Sequence, residues 1–190
     1  MIKYLTKTQV DKLFSVITDV RDRAMITMLY FYGLRRGELC NLLISDIDCE
    51  NNRIHIRPLK HGIEGYHYLT DNCIQQIKEY LEIRITRNNK TPYLFVSSQR
   101  NTQLSGDAVR VIYAKYAKLA GIPPNLRNPH TLRHSLACAL ISSGYDLMFV
   151  KDLLRHKSIA STAIYANIMN EVKVKMQKEA LEGGLYMAKM

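Results

Sequence analysis

Apolar residues recur at helical spacing along most of the chain. Positions three and four residues apart predict helices over roughly residues 21–32, 74–85 and 105–120, with a glycine directly after the first and near the end of the last. Thr6-Lys7-Thr8-Gln9 has the capping-box pattern and predicts an earlier helix. We therefore expect a mainly α-helical chain.

One short region alternates polar and apolar residues instead. Residues 53–57 and 66–69 show this pattern on either side of a Lys-His-Gly-Ile-Glu-Gly connection, which predicts a β-hairpin with Lys60 near its turn. The acidic stretch 46–50 before it fails the calcium-loop template and is interpreted as a turn and a solvated edge. Asp71 after it is expected to cap the next helix.

The region from residue 128 to residue 168 predicts three helices in close succession. Pro129 suits the first turn of one helix, and Gly144 is placed to end it. Asp146 is expected to cap a second helix, and the serines of residues 158–161 to cap a short third one that carries Tyr165.

Four side chains of this region suit phosphodiester cleavage without a metal. His130 and Arg133 lie three residues apart and project from one helix face, while His156 falls in the turn before the helix of Tyr165. They offer donors for phosphate oxygens, a proton carrier and a hydroxyl nucleophile. His134 lies four residues after His130, as in a metal pair, but no third ligand has convincing spacing, so it is interpreted as a supporting or surface residue.

Composition narrows the class of partner. The 190 residues are 47% hydrophobic, which fits one globular domain, and 27 Lys+Arg against 17 Asp+Glu give a formal net charge of +10. Such a charge favours a polyanion, above all nucleic acid. The chain has no run of eighteen apolar residues and no signal-peptide core, and its four cysteines are dispersed without a C-x-x-C pair. We expect a cytoplasmic protein without a membrane partner, a disulfide framework or a zinc site.

The order of these residues resembles the tyrosine recombinases, the family of phage integrases, Xer-type resolvases and fimbrial-switch invertases. Histidine-x-x-arginine at residues 130–133, Leu-Leu-x-His at residues 153–156 and a tyrosine nine positions later resemble its C-terminal signature. Residues 32–39, Tyr-Gly-Leu-Arg-Arg-Gly-Glu-Leu, resemble the segment that holds the family's first catalytic arginine, here Arg35. Lys60 stands where the family keeps its hairpin lysine.

The resemblance implies a fold and an activity. The expected fold is α+β, mainly α-helical with a small antiparallel β-sheet, as in DNA breaking-rejoining enzymes. The expected activity is site-specific recombination through a 3′-phosphotyrosyl intermediate, with neither metal nor cofactor. Tyr165 is then the nucleophile, His130 its base and Lys60 the general acid. The full implied catalytic set is Arg35, Lys60, His130, Arg133, His156 and Tyr165.

The resemblance also implies partners and a domain organisation. Double-stranded DNA is the expected partner, with a homo-oligomer, a tetramer on DNA, and accessory DNA-bending proteins, so the cytoplasmic protein is nucleoid-associated when it binds DNA. Residues 1–190 are expected to form one catalytic domain, whose tail 169–190 is exchanged between subunits, without an N-terminal core-binding domain. A catalytic fragment of a longer protein is the alternative.

Two positions depart from the family pattern. Arg155 stands where the family usually has glycine, and its long side chain is expected either to alter how His156 is presented or to contact the DNA backbone. Arg36 replaces a residue that is commonly small or apolar. A type IB-like topoisomerase and an inactive DNA-binding protein of the same fold therefore stay open, whereas a magnesium nuclease lacks its carboxylate cluster.

Overall fold

The computed structural model describes residues 3–57, 63–87 and 90–182, apart from the side chain at position 175. These residues form a mainly helical structure with one small sheet, as predicted. Short 3-10 helices occupy Ile44–Asp46 and Pro124–Leu126. The other elements are α1 (Lys7–Ser15), α2 (Val20–Phe31), α3 (Arg36–Asn41), β1 (Ile47–Asp48), β2 (Arg53–Ile56), β3 (Gly65–Tyr68), α4 (Asp71–Thr86), α5 (Gly106–Leu119), α6 (His130–Ser142), α7 (Leu147–Leu153), α8 (Ala160–Ala163) and α9 (Ala166–Glu182).

Side-chain caps set the beginnings of several helices. The hydroxyl of Thr6 accepts a hydrogen bond from the backbone N–H of Gln9 at 3.3 Å, and the Gln9 side chain accepts from the Thr6 N–H at 3.0 Å, so the predicted capping box of α1 is confirmed. Ser105 caps α5 through the N–H of Ala108. The cap of α4 is Thr70 and not Asp71, because the Thr70 hydroxyl accepts from the N–H three residues later.

The sheet is antiparallel in the order β1-β2-β3, and its β2–β3 pair is the predicted hairpin. Strand β1, in which Ile47 pairs with Ile54, is too short to show a periodic pattern. The interpretation of the acidic stretch as solvated was wrong at Asp46, which is buried. One carboxylate oxygen of Asp46 accepts from the Leu43 N–H at 2.9 Å and from Arg57 at 3.0 Å.

Two apolar clusters pack around α2 and α6. The larger one surrounds α2, whose residues are buried on nearly every side because α4 and α6 both cover it. The predicted buried run Leu94–Val96 belongs to this region and is confirmed as buried. The smaller cluster joins α6, α7 and the start of α9, and its buried members are Leu136, Ala137, Cys138, Ile141, Val150, Leu154 and Tyr165.

Within the described ranges, no helix combines the length and apolar character that a membrane span needs. The four cysteines are free thiols, of which Cys49 is half-buried and the others are buried.

Candidate active site

Arg133 lies on α6 between the two apolar clusters, and only 2% of it is exposed. Its guanidinium donates to the backbone carbonyls of Gly33 and Leu154, which belong to the segments that follow α2 and α7. Burial and the nearby positive charges of Arg35 and Arg155 lower the pKa of Arg133 to about 9. One buried cation therefore ties three distant segments of the chain together.

Gly33 allows this close approach. It has φ of +55°, and a Cβ at this position would lie 2.6 Å from Leu154 Cδ2 and 3.1 Å from Leu136 Cδ2. A side chain here would be strained in conformation and would require Leu154 to shift. The predicted role of Gly33 as the end of α2 is confirmed, and the turn brings Arg35 towards Arg133.

Arg35 is held by Glu38, three residues further along the chain. Glu38 Oε1 accepts from Arg35 Nη1 at 2.6 Å, and Oε2 accepts from the backbone N–H of Arg35 at 2.9 Å. The Arg35 side chain is 38% exposed whereas that of Glu38 is 1% exposed. Burial favours the neutral acid, but Arg155 and Arg35 outweigh it and lower the pKa of Glu38. Glu38 thus fixes the position of Arg35, while part of the Arg35 side chain remains exposed to solvent.

Arg155 adopts a conformation that glycine prefers, with φ of +55°. Its guanidinium is buried and donates to Glu38 Oε2 at 3.0 Å, to the Leu153 carbonyl at 2.9 Å and to Nε2 of His67 at 3.0 Å. The alternative that this side chain contacts the DNA backbone does not fit these contacts, because both Nη atoms already donate to protein groups. Arg155 instead links the turn before His156 to Glu38, the carboxylate that holds Arg35.

His156 lies in the turn between α7 and α8, as predicted, and is 9% exposed. Its Nδ1 is 2.9 Å from the Thr162 hydroxyl, which leaves Nε2 as the ring nitrogen for another partner. Burial, followed by the positive charges of Arg133 and Arg35, lowers the pKa of His156 to about 4. The ring is neutral at pH 7.

Tyr165 is 1% exposed and lies in the turn between α8 and α9. The prediction of a short helix that carries Tyr165 was wrong, because α8 ends at Ala163. Burial raises the pKa of Tyr165 to about 12, and its Oη is 2.6 Å from His134 Nδ1. Burial also lowers the pKa of His134, so the phenol donates and the imidazole accepts.

His134 therefore supports the site by its bond to Tyr165, which is one of the two roles that the sequence interpretation left open for it. Within the described ranges, no group of three or more His, Cys, Asp or Glu is placed to hold a metal ion. The useful signal was its position directly after Arg133 and one helical turn after His130.

His130 is exposed at the start of α6, and its ring centroid is 4.7 Å from that of His134. Desolvation lowers the pKa of His130 to about 4, and the electrostatic interactions with His134 and then with Arg133 act in the same direction. Among the described hydrogen bonds, the partner of the Tyr165 hydroxyl is His134 and not His130. A groove of about 990 Å³ opens beside both imidazoles and gives solvent access to them.

Lys60 lies outside the described residues. The other five members of the predicted set fall on the Gly33 turn, on α6 and in the turns that flank α8. Arg133 and Arg35 contribute to the lowered pKa of both His130 and His156, which places these four groups in one electrostatic neighbourhood. Tyr165 joins them through His134, whose backbone neighbour is Arg133.

Solved structures with this fold are recombinases. The structure of XerA recombinase matches with a TM-score of 0.82 and 30% identity over 94% of this chain and 65% of that chain. The structure of XerH site-specific recombinase bound to difH substrate matches with a TM-score of 0.76 and 25% identity over 86% of this chain and 50% of that chain. The fold is that of tyrosine recombinase catalytic domains.

The chain belongs to the phage integrase family, whose profile matches residues 3–171. Tyrosine recombinase XerA of Pyrococcus horikoshii is 35% identical over 95% of this chain and 60% of its own length. Tyrosine recombinase XerC of Herpetosiphon aurantiacus is 34% identical over 94% of this chain and 60% of its own length. The chain thus spans about three fifths of these relatives.

Proposed function

We propose that this protein is a site-specific tyrosine recombinase that cuts and rejoins DNA strands through a 3′-phosphotyrosyl intermediate. The observation that carries the proposal is the hydrogen bond of the Tyr165 hydroxyl to His134, next to the buried Arg133. The relatives named tyrosine recombinases and the XerH structure bound to its substrate support the same activity. Integration, excision and inversion all use this chemistry.

In the proposed cleavage step, Tyr165 Oη forms a bond to phosphorus while the bond from phosphorus to the 5′ oxygen breaks. Arg35 and Arg133 hold the non-bridging oxygens, on which negative charge grows in the transition state. Arg133 uses two donors on backbone carbonyls, and a guanidinium has five, so three remain for the phosphate. His156 donates through the nitrogen that Thr162 leaves available.

The phenolic proton needs a base, because a hydroxyl with a pKa of about 12 is protonated at pH 7. Two neutral imidazoles stand ready: His130, which the family resemblance implies, and His134, which bonds the hydroxyl in this structure. Separate exchanges to glutamine distinguish them, since the base is the residue whose exchange moves the pH dependence of cleavage. Lys60 is the proposed acid that protonates the departing 5′ oxygen.

The proposed partners follow from charge and family. A formal net charge of +10 favours double-stranded DNA, and binding by phosphate contacts falls steeply with salt. The proposal includes action at the nucleoid in the cytoplasm, a tetramer on DNA and accessory DNA-bending proteins. It treats residues 1–190 as one catalytic domain whose tail from Met169 docks on a neighbouring subunit.

Cationic side chains take the charge-neutralising role of a metal, so the reaction is proposed to proceed in chelator.

The decisive experiment traps the covalent intermediate. Parent and Tyr165→Phe are incubated in chelator with nicked suicide substrates made from DNA that flanks the gene, and are then separated on a denaturing gel. Tyr145→Phe is the matched control, because Tyr145 is an exposed tyrosine that precedes α7 in the chain. A covalent band in the parent and in Tyr145→Phe alone supports the proposal.

Other outcomes point elsewhere. A band that persists in Tyr165→Phe contradicts Tyr165 as the nucleophile. Relaxation of supercoils by a monomer without a defined site would indicate a topoisomerase, and DNA binding that is unaltered in Tyr165→Phe without any cleavage by the parent would indicate an inactive DNA-binding protein. Cleavage that stops in chelator would contradict the metal-independent mechanism.

A further inference from the structure

Among the buried arginines of the site, Arg155 has no part in the proposed chemistry. Arg155 is as buried as Arg133, with 2% of each exposed, but its guanidinium faces Glu38 and His67. The family resemblance offers no role for it, since the family usually has glycine at this position. The chain keeps an arginine here although φ of +55° disfavours a side chain.

Arg155 contacts the carboxylate of Glu38, which also holds Arg35. Its Nη2 lies 3.0 Å from Glu38 Oε2, the oxygen that also accepts from the Arg35 N–H. The other oxygen of the same carboxylate holds the Arg35 guanidinium at 2.6 Å. A carboxylate shared by two arginines has its orientation fixed from both sides, and with it the direction of Arg35.

The backbone contacts extend the same link. Arg155 Nη1 donates to the Leu153 carbonyl at 2.9 Å and lies 3.4 Å from the Tyr32 carbonyl, while Nη2 lies 3.4 Å from the Gly33 carbonyl. The Tyr32–Gly33 segment leads directly into Arg35, and Arg155 itself precedes His156. One side chain therefore joins the two turns that carry phosphate ligands in the proposed function.

We propose that Arg155 is a positioning residue that holds the Glu38 carboxylate and, through it, aims Arg35 at the scissile phosphate. This inference rests on the proposed function of the site. Because both Nη atoms of Arg155 donate to protein groups, Arg155 contributes to the rate of cleavage and not to the affinity for DNA.

The first test exchanges Arg155 for glycine, which suits the backbone conformation and removes only the side chain. Cleavage of the suicide substrate at saturating DNA is expected to slow about 10- to 100-fold, because a small misplacement of a phosphate ligand is enough for such a loss. DNA affinity and its salt dependence are expected to stay unchanged. Asn52→Gly is the matched control, since Asn52 also has a positive φ, of +50°, and its described side-chain bond goes to Asp71, outside the site.

A double-mutant cycle separates positioning from a general structural role. Arg155→Gly, Glu38→Gln and the double variant are compared in cleavage rate, and the double variant is expected to be no slower than the slower single variant. Arg155→Lys keeps the charge but not the planar fork, so it is expected to recover only part of the rate. Losses that multiply, or full recovery with lysine, would overturn the proposal.

A measurement without DNA tests the contact between Arg155 and the support of Arg35 separately from the proposed function. The guanidinium signals of Arg35 in ¹H–¹⁵N spectra, assigned by their loss in Arg35→Lys, are expected to shift in Arg155→Gly and not in Asn52→Gly. Unshifted signals, or cleavage by Arg155→Gly as fast as by Asn52→Gly, would overturn the positioning role. A parent that forms no covalent complex would contradict the proposed function, and the Arg35 signals alone would then decide the role of Arg155.

Discussion

The arginine side and the tyrosine side of the site are held in different ways. On the arginine side, Arg133, Arg155 and Glu38 are buried, and each has at least two described partners, several of them backbone groups. On the tyrosine side, the Tyr165 ring packs in the smaller apolar cluster, but its hydroxyl has one described bond, to His134, next to a helix of only four residues.

In the proposed function, this difference separates a preformed phosphate-binding site from a nucleophile that is buried until it reacts. Charge stabilisation is most effective when its donors do not have to reorganise during the reaction, and the arginine side meets this condition before DNA arrives. The tyrosine hydroxyl is buried and protonated, so it must gain access to the phosphate. Few polar contacts oppose that movement, because α8 is short and the hydroxyl bond to His134 is the principal one described.

The largest expected effect comes from removing Arg133. Arg133→Met removes the donor of the Leu154 carbonyl and leaves the Gly33 carbonyl with only the longer 3.4 Å contact to Arg155 Nη2. We expect this change to lower the free energy of unfolding by about 2 to 4 kcal/mol. Cleavage is expected to fall by about 10² to 10³ or more. Chemical denaturation and suicide-substrate kinetics measure the two effects.

Arg110→Met is the stability control for Arg133→Met, because Arg110 is exposed on α5. It should change the free energy of unfolding by less than about 0.5 kcal/mol. Equal losses in the two variants would show that the arginine side is not held as described.

Removing the described hydrogen bond between His134 and the Tyr165 hydroxyl should have a local effect. His134→Ala is expected to lower the stability of the α8 segment by about 1 kcal/mol and to raise amide exchange there several-fold, while the arginine side keeps its protection. Hydrogen exchange of residues 160–166 measures this. His130→Ala is the control, since His130 is exposed and not bonded to the hydroxyl; an equal rise there would refute the distinction.

Gly33→Ala tests the turn before Arg35, which lies against Leu154 and Leu136 of the smaller apolar cluster. The added Cβ would meet Leu154 Cδ2 at 2.6 Å and would adopt φ of +55°, so we expect a loss of about 1 to 2 kcal/mol in the free energy of unfolding. Thermal unfolding measures the loss. Gly65→Ala is the control, because a Cβ at Gly65 meets nothing within 4 Å. Similar losses in both would mean that the turn tolerates a side chain.

The smallest expected effect is a dependence of stability on pH. Burial and then the charge of Arg155 lower the pKa of His67 to about 4, with Glu38 opposing the shift. The folded protein therefore binds this proton more weakly than the unfolded chain does, and stability is lost as pH falls from about 6.5 to about 4. His67→Gln should reduce the loss over this range by about 1 kcal/mol in urea unfolding. An unchanged slope would contradict the buried contact.

Local sequence signals predicted much of this fold. The capping box of α1, the glycines after α2 and α6 and the alternation of β2 and β3 depend on neighbours within a few residues, so the chain displays them directly. The cap of α4 was misplaced by one residue, because Thr70 and Asp71 both suit that position. Strand β1 consists of two residues, which are too few to form a pattern.

The sequence likewise predicted some residues of the candidate site but not the contacts between them. Motif spacing predicted catalytic roles for Arg35, His130, Arg133, His156 and Tyr165. The contacts of His134 with Tyr165 and of Arg155 with Glu38 span 31 and 117 residues of sequence. Only the packed chain brings such residues together, and no local pattern marks an arginine as buried when its partner is a carboxylate far along the sequence.

The bond from Arg133 to the Gly33 carbonyl has a consequence for biosynthesis. Its two residues lie 100 positions apart, and the other carbonyl partner, Leu154, leaves the ribosome later still. The turn with Arg35 is therefore synthesised long before anything can complete it, and contacts of this range form late in folding. In the proposed function, a chain synthesised only as far as this turn therefore carries one phosphate-binding arginine, but neither Arg133 nor the nucleophile Tyr165.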